Sequence, residues 1–260
     1  PEAQRRGLLD GDRNVIAGAY FGAVLGGHVA SREPEKWHRR WISCDHGFIH
    51  PTVVLWHAQD EEGNVVTYRE MVRTHTTSTE LAAEIVDRSF GEDIEAFYLS
   101  PDAWGRRDSE RTVADEIGRI IGPALGVMPS RATNARASGW LLMYDLLKHG
   151  MWKISEKCPK LLQTLPLMQR GDPGKGEDVE DCQKMDGVDD APDSARYGMA
   201  SRVGLVRVPA AVRVARRMRE LEASHGRVRG QEAVMRARFV ETQVKPEGPR
   251  LIRFHRRRTA

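Results

Sequence analysis

The sequence predicts an α/β fold in which a mixed β-sheet is flanked by helices on both faces. Three observations lead there. Short runs rich in β-branched and aromatic residues at 41–45, 53–56 and 65–70 follow one another at close spacing. Another such run, at 95–100, comes only after an amphipathic segment at 77–90. Two more segments of helical periodicity, 110–121 and 136–148, then follow, an order that fits a sheet layered with helices. At 260 residues the chain has room for one domain of ordinary size plus appendages.

Taken in order, Trp41-Ile42-Ser43-Cys44-Asp45 reads as a strand that runs on to Gly47. Val53–Trp56 is the second strand, and Val65–Glu70 the third, after the turn formers Asp60-Glu61-Glu62-Gly63-Asn64. That spacing implies an antiparallel meander. Thr77-Ser78-Thr79-Glu80 is a capping box opening a helix to about Phe90, with Leu81, Ile85 and Phe90 toward the core. Glu95–Ser100 returns as a strand and is followed by Pro101-Asp102. The helix at Glu110–Ile121 carries Val113, Ile117 and Ile120, and the helix at Arg136–Lys148 carries Trp140, Leu141, Tyr144 and Leu147. Helical spacing makes Trp140 a core residue rather than a base-stacking platform. After a long polar stretch, Gln169–Gly187, a last helix is expected at Ala191–Val203.

The carboxylates on these elements carry the chemistry. An ionised Asp45 inside a buried strand is costly unless a cation compensates it. Asp102 lies just past a strand end, the edge of an α/β sheet where ligands gather. Asp190 and Asp193, three residues apart at a helix start, project from one helical face. Carboxylate oxygens without thiol or imidazole clusters suit Mg²⁺ or Mn²⁺ rather than zinc. Two such ions about 3.5 to 4 Å apart can activate a water and stabilise the leaving oxygen of a phosphodiester. Each aspartate taken singly has a plainer reading as a turn or cap residue, Asp190 as an N-cap above all. The combination is what points to a metal-dependent nuclease.

The order of Asp45 and Gly47, hairpin, Tyr68-Arg69-Glu70, helix, Ser100-Pro101-Asp102 and Asp189-Asp190-Ala191-Pro192-Asp193-Ser194-Ala195-Arg196-Tyr197 resembles a known family. It is similar to the C-terminal nuclease domain of the large terminase subunit of tailed bacteriophages, over roughly residues 7–203. Leu8-Leu9-Asp10-Gly11-Asp12 resembles the segment joining that family's ATPase to its nuclease, with Arg13 where most members have Trp. Pro192 and Ser194-Ala195 also depart from the family pattern, although Pro in a first helical turn is tolerated.

The resemblance implies an RNase H-like fold and a divalent-metal-dependent endonuclease that cuts concatemeric double-stranded DNA with two Mg²⁺ or Mn²⁺ ions. It implies Asp45, Asp102 and Asp193 as the catalytic set. Asp45 would be shared by both ions, Asp102 would complete one site, and Asp193 with Asp190 the other. Glu70 matches a recurrent glutamate, either supporting the site or a surface charge at a strand end. Arg136 is a candidate phosphate contact or a solvated helix-start charge. Lys175 and Lys184 are candidate DNA contacts, because a hairpin beside the active site falls in this stretch of the family. The small terminase subunit and the portal are implied as partners, the host cytoplasm as the location, and a monomer as the state of the isolated domain. No membrane partner is implied. Two alternatives stay open: a resolvase-like structure-selective nuclease, and a catalytically inactive module that docks on DNA or the portal.

Composition narrows the classes further. No apolar run approaches the roughly 20 residues of a membrane helix. Cys44, Cys158 and Cys182 show no C-x-x-C spacing, so neither a disulfide framework nor a zinc ribbon is indicated. Gly171-Asp172-Pro173-Gly174-Lys175-Gly176 lacks the spacing and hydroxyl of a phosphate-binding loop. The expected organisation is a linker at 1–35 from a missing ATPase, a nuclease domain at 36–203 and a basic tail at 204–260. The tail holds 15 Arg plus Lys against 5 Glu, or +10, whereas the formal total is +3, so residues 1–203 carry −7. Its Arg213–Arg219 segment, with Arg216 and Arg217, reads as a short basic helix that could bind phosphates, or as a solvated tail.

Overall fold

The computed structural model describes residues 18–25, 27–30, 33–106 and 111–203. Among them, seven strands form one mixed sheet: β1 (Val29–Ala30), β2 (Arg39–Asp45), β3 (Thr52–Gln59), β4 (Val65–Arg73), β5 (Ile94–Leu99), β6 (Pro129–Arg131) and β7 (Trp152–Ser155). Their spatial order is β1-β7-β4-β3-β2-β5-β6. β2, β3 and β4 are the expected antiparallel meander, pairing Asp45 with Val53 and Thr52 with Arg73. β5 joins β2 in parallel, β6 joins β5 in parallel, and β7 joins β4 in parallel. The sequence reading missed β1, β6 and β7. At two, three and four residues they are too short to show a period, and each exists because a longer strand offers it an edge.

Side chains alternate across a strand, and this alternation sorts the sheet into two faces. Ile42 and Cys44 of β2 and Val54, Trp56 and Ala58 of β3 share one face. There they form a core with Leu81 and Ile85 of α1 (Ser78–Arg88) and Ile117 and Ile121 of α2 (Val113–Leu125). Trp41, Ser43 and His57 point the other way, toward α5 (Asp190–Arg202). A Cβ at Gly198 of α5 would fall 2.8 Å from His57 Nε2 and 2.9 Å from Ser43 Oγ, so only glycine lets the helix lie this close. All eight residues of β3 are buried, as a strand covered on both faces requires. α3 (Arg136–Lys148) and the short α4 (Pro159–Thr164) complete the helices described.

The capping box at Thr77 forms as expected, with Thr77 N–H donating to Glu80 Oε2 at 3.0 Å and Glu80 N–H to Thr77 Oγ1. Phe90, expected in the core, is 91% exposed. The helix stops at Arg88, and the left-handed Gly91 (φ +77°) turns the chain, so helical spacing no longer governs Phe90. α2 starts at its own capping box, Thr112 with Asp115, and ends at Gly126 (φ 73°). Glu110, the expected start, lies outside the described residues. Trp140 is fully buried, as its spacing predicts. Tyr20 and Phe21 are buried too: Tyr20 N–H donates to Met168 O at 2.7 Å, and the Phe21 ring packs edge-on to Trp140. All three cysteines are free and buried. No helix among the described residues is long and apolar enough to cross a membrane.

Candidate metal and nucleic-acid site

Asp45 is the last residue of β2, and Asp102 sits in the 3-10 turn Pro101–Trp104 just past β5. These strands are parallel neighbours, so both carboxylates leave the same edge of the sheet. The ladder continues past the strand ends: Ser100 N–H donates to Cys44 O at 2.9 Å, and His46 N–H to Ser100 Oγ at 3.1 Å. Asp45 shares the parity of Trp41 and Ser43, which turns it toward α5. The opening turn of α5 supplies Asp190 and Asp193, and Asp189 occupies the N-cap position that the plainer reading gave to Asp190. Asp193 N–H donates to Asp189 O at 2.7 Å, which seats the first turn.

These residues line one open cleft of about 1010 Å³. Six aspartates (45, 102, 186, 189, 190 and 193) face Arg131, Arg136 and Lys184 across it, a clear surplus of negative charge. Burial pushes the Asp45 carboxyl well above the usual carboxylate range, and the neighbouring charges of Asp193, Asp102 and Asp190 push it further. Burial likewise raises Asp189, and it raises Asp190, next to Asp189, with Lys160 and His50 opposing. One oxygen of Asp190, Oδ2, is buried without a hydrogen-bond partner among the described residues. Oxygen-only donors with mutual repulsion and an orphaned buried oxygen suit a hard divalent cation.

Asp193 is paired with arginine. Arg196, wholly buried in the next turn, donates from Nε to Asp193 Oδ1 at 2.8 Å. Its guanidinium lies over the rings of Trp140 and Tyr197, at 5.0 and 4.5 Å. Arg136 Nη1 approaches Asp193 Oδ2 at 3.5 Å while its Nε donates to both oxygens of Asp181. Asp193 is thus partly neutralised by arginine. Among the described residues, no three His, Cys, Asp or Glu groups stand close enough together to form a ready metal cage.

The structure brings Asp45, Asp102, Asp190, Asp193, Arg136 and Lys184 to this cleft. It does not bring Glu70 or Lys175 there. Glu70 lies inside β4, which runs on to Arg73, and its carboxylate accepts the N–H groups of Lys160 (2.8 Å) and Leu161 (2.7 Å) at the start of α4. Lys175 is exposed in the 3-10 turn Pro173–Lys175, a part of the polar stretch that does not line the cleft. Arg216 and Arg217 lie outside the described residues. Sequence reasoning left Asp189, Tyr197 and Arg131 out of the site. Tyr197 was within reach, since it stands four residues after Asp193 and so on the same helical face.

No protein-family model matches the chain, and no curated protein is similar to it at the level of sequence. Solved structures are similar in fold. The P22 large terminase nuclease domain matches with a TM-score of 0.56 at 18% identity, over 77% of this chain and 100% of that one. The large terminase of a thermophilic bacteriophage, in complex with ATP-gamma-S, matches with a TM-score of 0.56 at 16% identity, over 68% of this chain. That match covers 43% of the other chain, so the similarity is to less than half of that protein. The large terminase nuclease from thermophilic phage G20c, with bound cobalt, matches with a TM-score of 0.52 at 16% identity, over 71% and 98% of the two chains. The meander β4-β3-β2 extended in parallel by β5 and β6, with helices on both faces, is the RNase H-like α/β fold of the large terminase nuclease domains.

Proposed function

We propose that the chain is the nuclease part of a phage genome-packaging terminase, a divalent-metal-dependent endonuclease that hydrolyses phosphodiesters of concatemeric double-stranded DNA. The observation that carries this reading is Asp45, held at the end of a central strand and repelled by Asp193, Asp102 and Asp190 around one cleft. Such an arrangement is stabilised by cations. The residues that would hold Mg²⁺ or Mn²⁺ are Asp45, Asp102, Asp190 and Asp193, and G20c nuclease structures with bound cobalt and with bound magnesium support divalent metal use. Two bound ions would supply Lewis acidity toward water and the leaving oxygen. The chain's own part is to orient: Lys184 and Arg131 offer positive charge to a phosphodiester backbone at the cleft, and Arg136 and Arg196 hold the Asp193 carboxylate in place.

A second reading, a docking module that binds DNA or a portal without cutting, is favoured by two observations. Asp193 already has arginine partners, and no three candidate ligands converge among the described residues. Incubation of supercoiled plasmid with Mg²⁺ or Mn²⁺ separates the two. Nicked and linear products are expected from the wild type, and neither from Asp45→Asn nor with EDTA. Intact plasmid from the wild type under every metal condition would leave the docking reading standing. Preference for branched over linear DNA would identify a structure-selective nuclease instead.

A further inference from the structure

The loop between β2 and β3 is tightly built, yet it presents two large apolar side chains to solvent. Gly47 N–H donates to Thr52 Oγ1 at 3.0 Å, and the Thr52 hydroxyl donates back to Gly47 O at 2.5 Å, closing the loop at its base. A Cβ at position 47 would come within 2.5 Å of His50 O, so the turn admits only glycine. His75 supports the loop from the side: its N–H donates to Phe48 O at 2.9 Å, and its ring stands edge-on to the Phe48 ring at 5.8 Å. His75 does so at φ 54°, a left-handed conformation that a non-glycine residue keeps only when its surroundings impose it. On the cleft side, His50 Nδ1 lies 3.2 Å from Asp186 Oδ1. Held on these sides, Phe48 is still 51% and Ile49 76% exposed. An ordered loop with two adjacent exposed apolar side chains at the mouth of a cleft marks a contact surface.

Position identifies the occupant. Phe48 follows Asp45 by three residues, a span of at most about 11 Å of extended chain. Successive nucleotides of a duplex are about 3.4 Å apart along its axis. A phosphodiester held at Asp45 therefore has its neighbouring base steps within reach of Phe48 and Ile49. Arg131 and Lys184, exposed on the same cleft, offer positive charge to a phosphate backbone once cations offset its aspartates. We propose that Phe48 and Ile49 form an apolar wedge that enters a base step of duplex DNA beside the cleaved phosphodiester, unstacking it. Phe and Ile are among the side chains that proteins insert between base steps from the minor groove. The proposal rests on the reading of duplex DNA as substrate and adds to it how the DNA is gripped and deformed.

The test uses the full chain in Ca²⁺, in place of Mg²⁺ or Mn²⁺ so that the carboxylates of the cleft are neutralised, with a duplex carrying 2-aminopurine at successive positions, whose fluorescence rises when a base unstacks. Expected are binding with enhancement confined to neighbouring positions, and loss of that enhancement in Phe48→Ala/Ile49→Ala with about tenfold weaker binding, the scale set by losing one stacked base. An unchanged urea midpoint would show that the double variant stays folded. Wild-type binding without enhancement, or a double variant that binds and enhances like the wild type, overturns the wedge while leaving the nuclease reading intact. No binding of duplex at all overturns both. Self-association of the wild type without DNA, abolished by the double variant, would show that the pair covers a second copy, and would also overturn the wedge.

Discussion

His57 is a wholly buried imidazole that ties the sheet to the helix bearing Asp190 and Asp193. One proton arrangement connects its neighbours into a chain. Trp152 Nε1–H donates to Thr67 Oγ1 at 2.9 Å, which leaves the Thr67 hydroxyl to donate to His57 Nδ1 at 2.9 Å. His57 Nε2–H then donates to Ser43 Oγ at 2.8 Å, and the Ser194 hydroxyl of α5 donates to Ser43 O at 3.3 Å. Burial lowers the His57 pKa to about 3, so the folded protein keeps it neutral. The unfolded chain takes up this proton near the ordinary value of about 6.5. Stability from this group is therefore complete above about pH 6.5 and is lost as pH falls from there toward 3. Between pH 7.5 and 5.0 the loss from this one group is about 2 kcal/mol. Urea titrations at the two pH values should show the wild type losing that much more than His57→Asn, and equal losses would mean that His57 does not titrate as its burial implies. A lone histidine in a strand gives no hint of this in sequence, because its partners lie on β2, β4 and, through Ser43, α5. Asp45 stands out in the sequence for the opposite reason: an acid in an apolar strand is anomalous by itself.

Glu70 shows how an element can claim a residue that the family resemblance offers as a support for the site. α4 has only six residues, opens on Pro159 and has no side-chain cap from its own N-cap residue, Cys158. Its free N–H groups at Lys160 and Leu161 are satisfied by Glu70, which reaches across from β4. Burial raises the Glu70 pKa, and those two donors oppose the rise by favouring the carboxylate. Removing a helix cap costs about 1 kcal/mol, up to about 2 where the helix is buried against the fold. Glu70→Ala should lower the unfolding free energy by roughly that amount while leaving any metal-dependent plasmid cleavage within a few-fold of wild type. A loss of cleavage as complete as in Asp45→Asn would return Glu70 to the metal site. The same contrast explains what was legible among the elements. The meander, the Thr77 capping box and the burial of Trp140 and Leu147 on α3 follow from local periodicity and were readable, whereas Leu141, read on the same helix, is 53% exposed. β1, β6 and β7 arise from pairing with distant strands, and no window of sequence contains both partners.

At the scale of the whole chain, charge is divided unevenly: −7 over residues 1–203 and +10 over 204–260. Six aspartates line the cleft of the described domain, which repels a polyanion until cations enter. The proposed chemistry can therefore reside in the fold without the fold supplying much non-specific affinity. Affinity from the basic segment has a signature that needs no structure of it, since each phosphate neutralised by Lys or Arg contributes about −0.9 to the slope of log K against log salt. In the full chain, Arg216→Gln/Arg217→Gln should make that slope shallower by up to about 1.8, if both arginines contact phosphate. Lys184→Gln, on the cleft, should change it by about 0.9 at most. Filter binding or fluorescence anisotropy across a salt series reads both. A shift from the arginine pair with cleavage unchanged at saturating protein would assign recruitment to the tail and chemistry to the cleft. An unchanged slope would mean that Arg216 and Arg217 make no phosphate contact, and the acidic cleft would then have to hold DNA through its cations and rim residues alone.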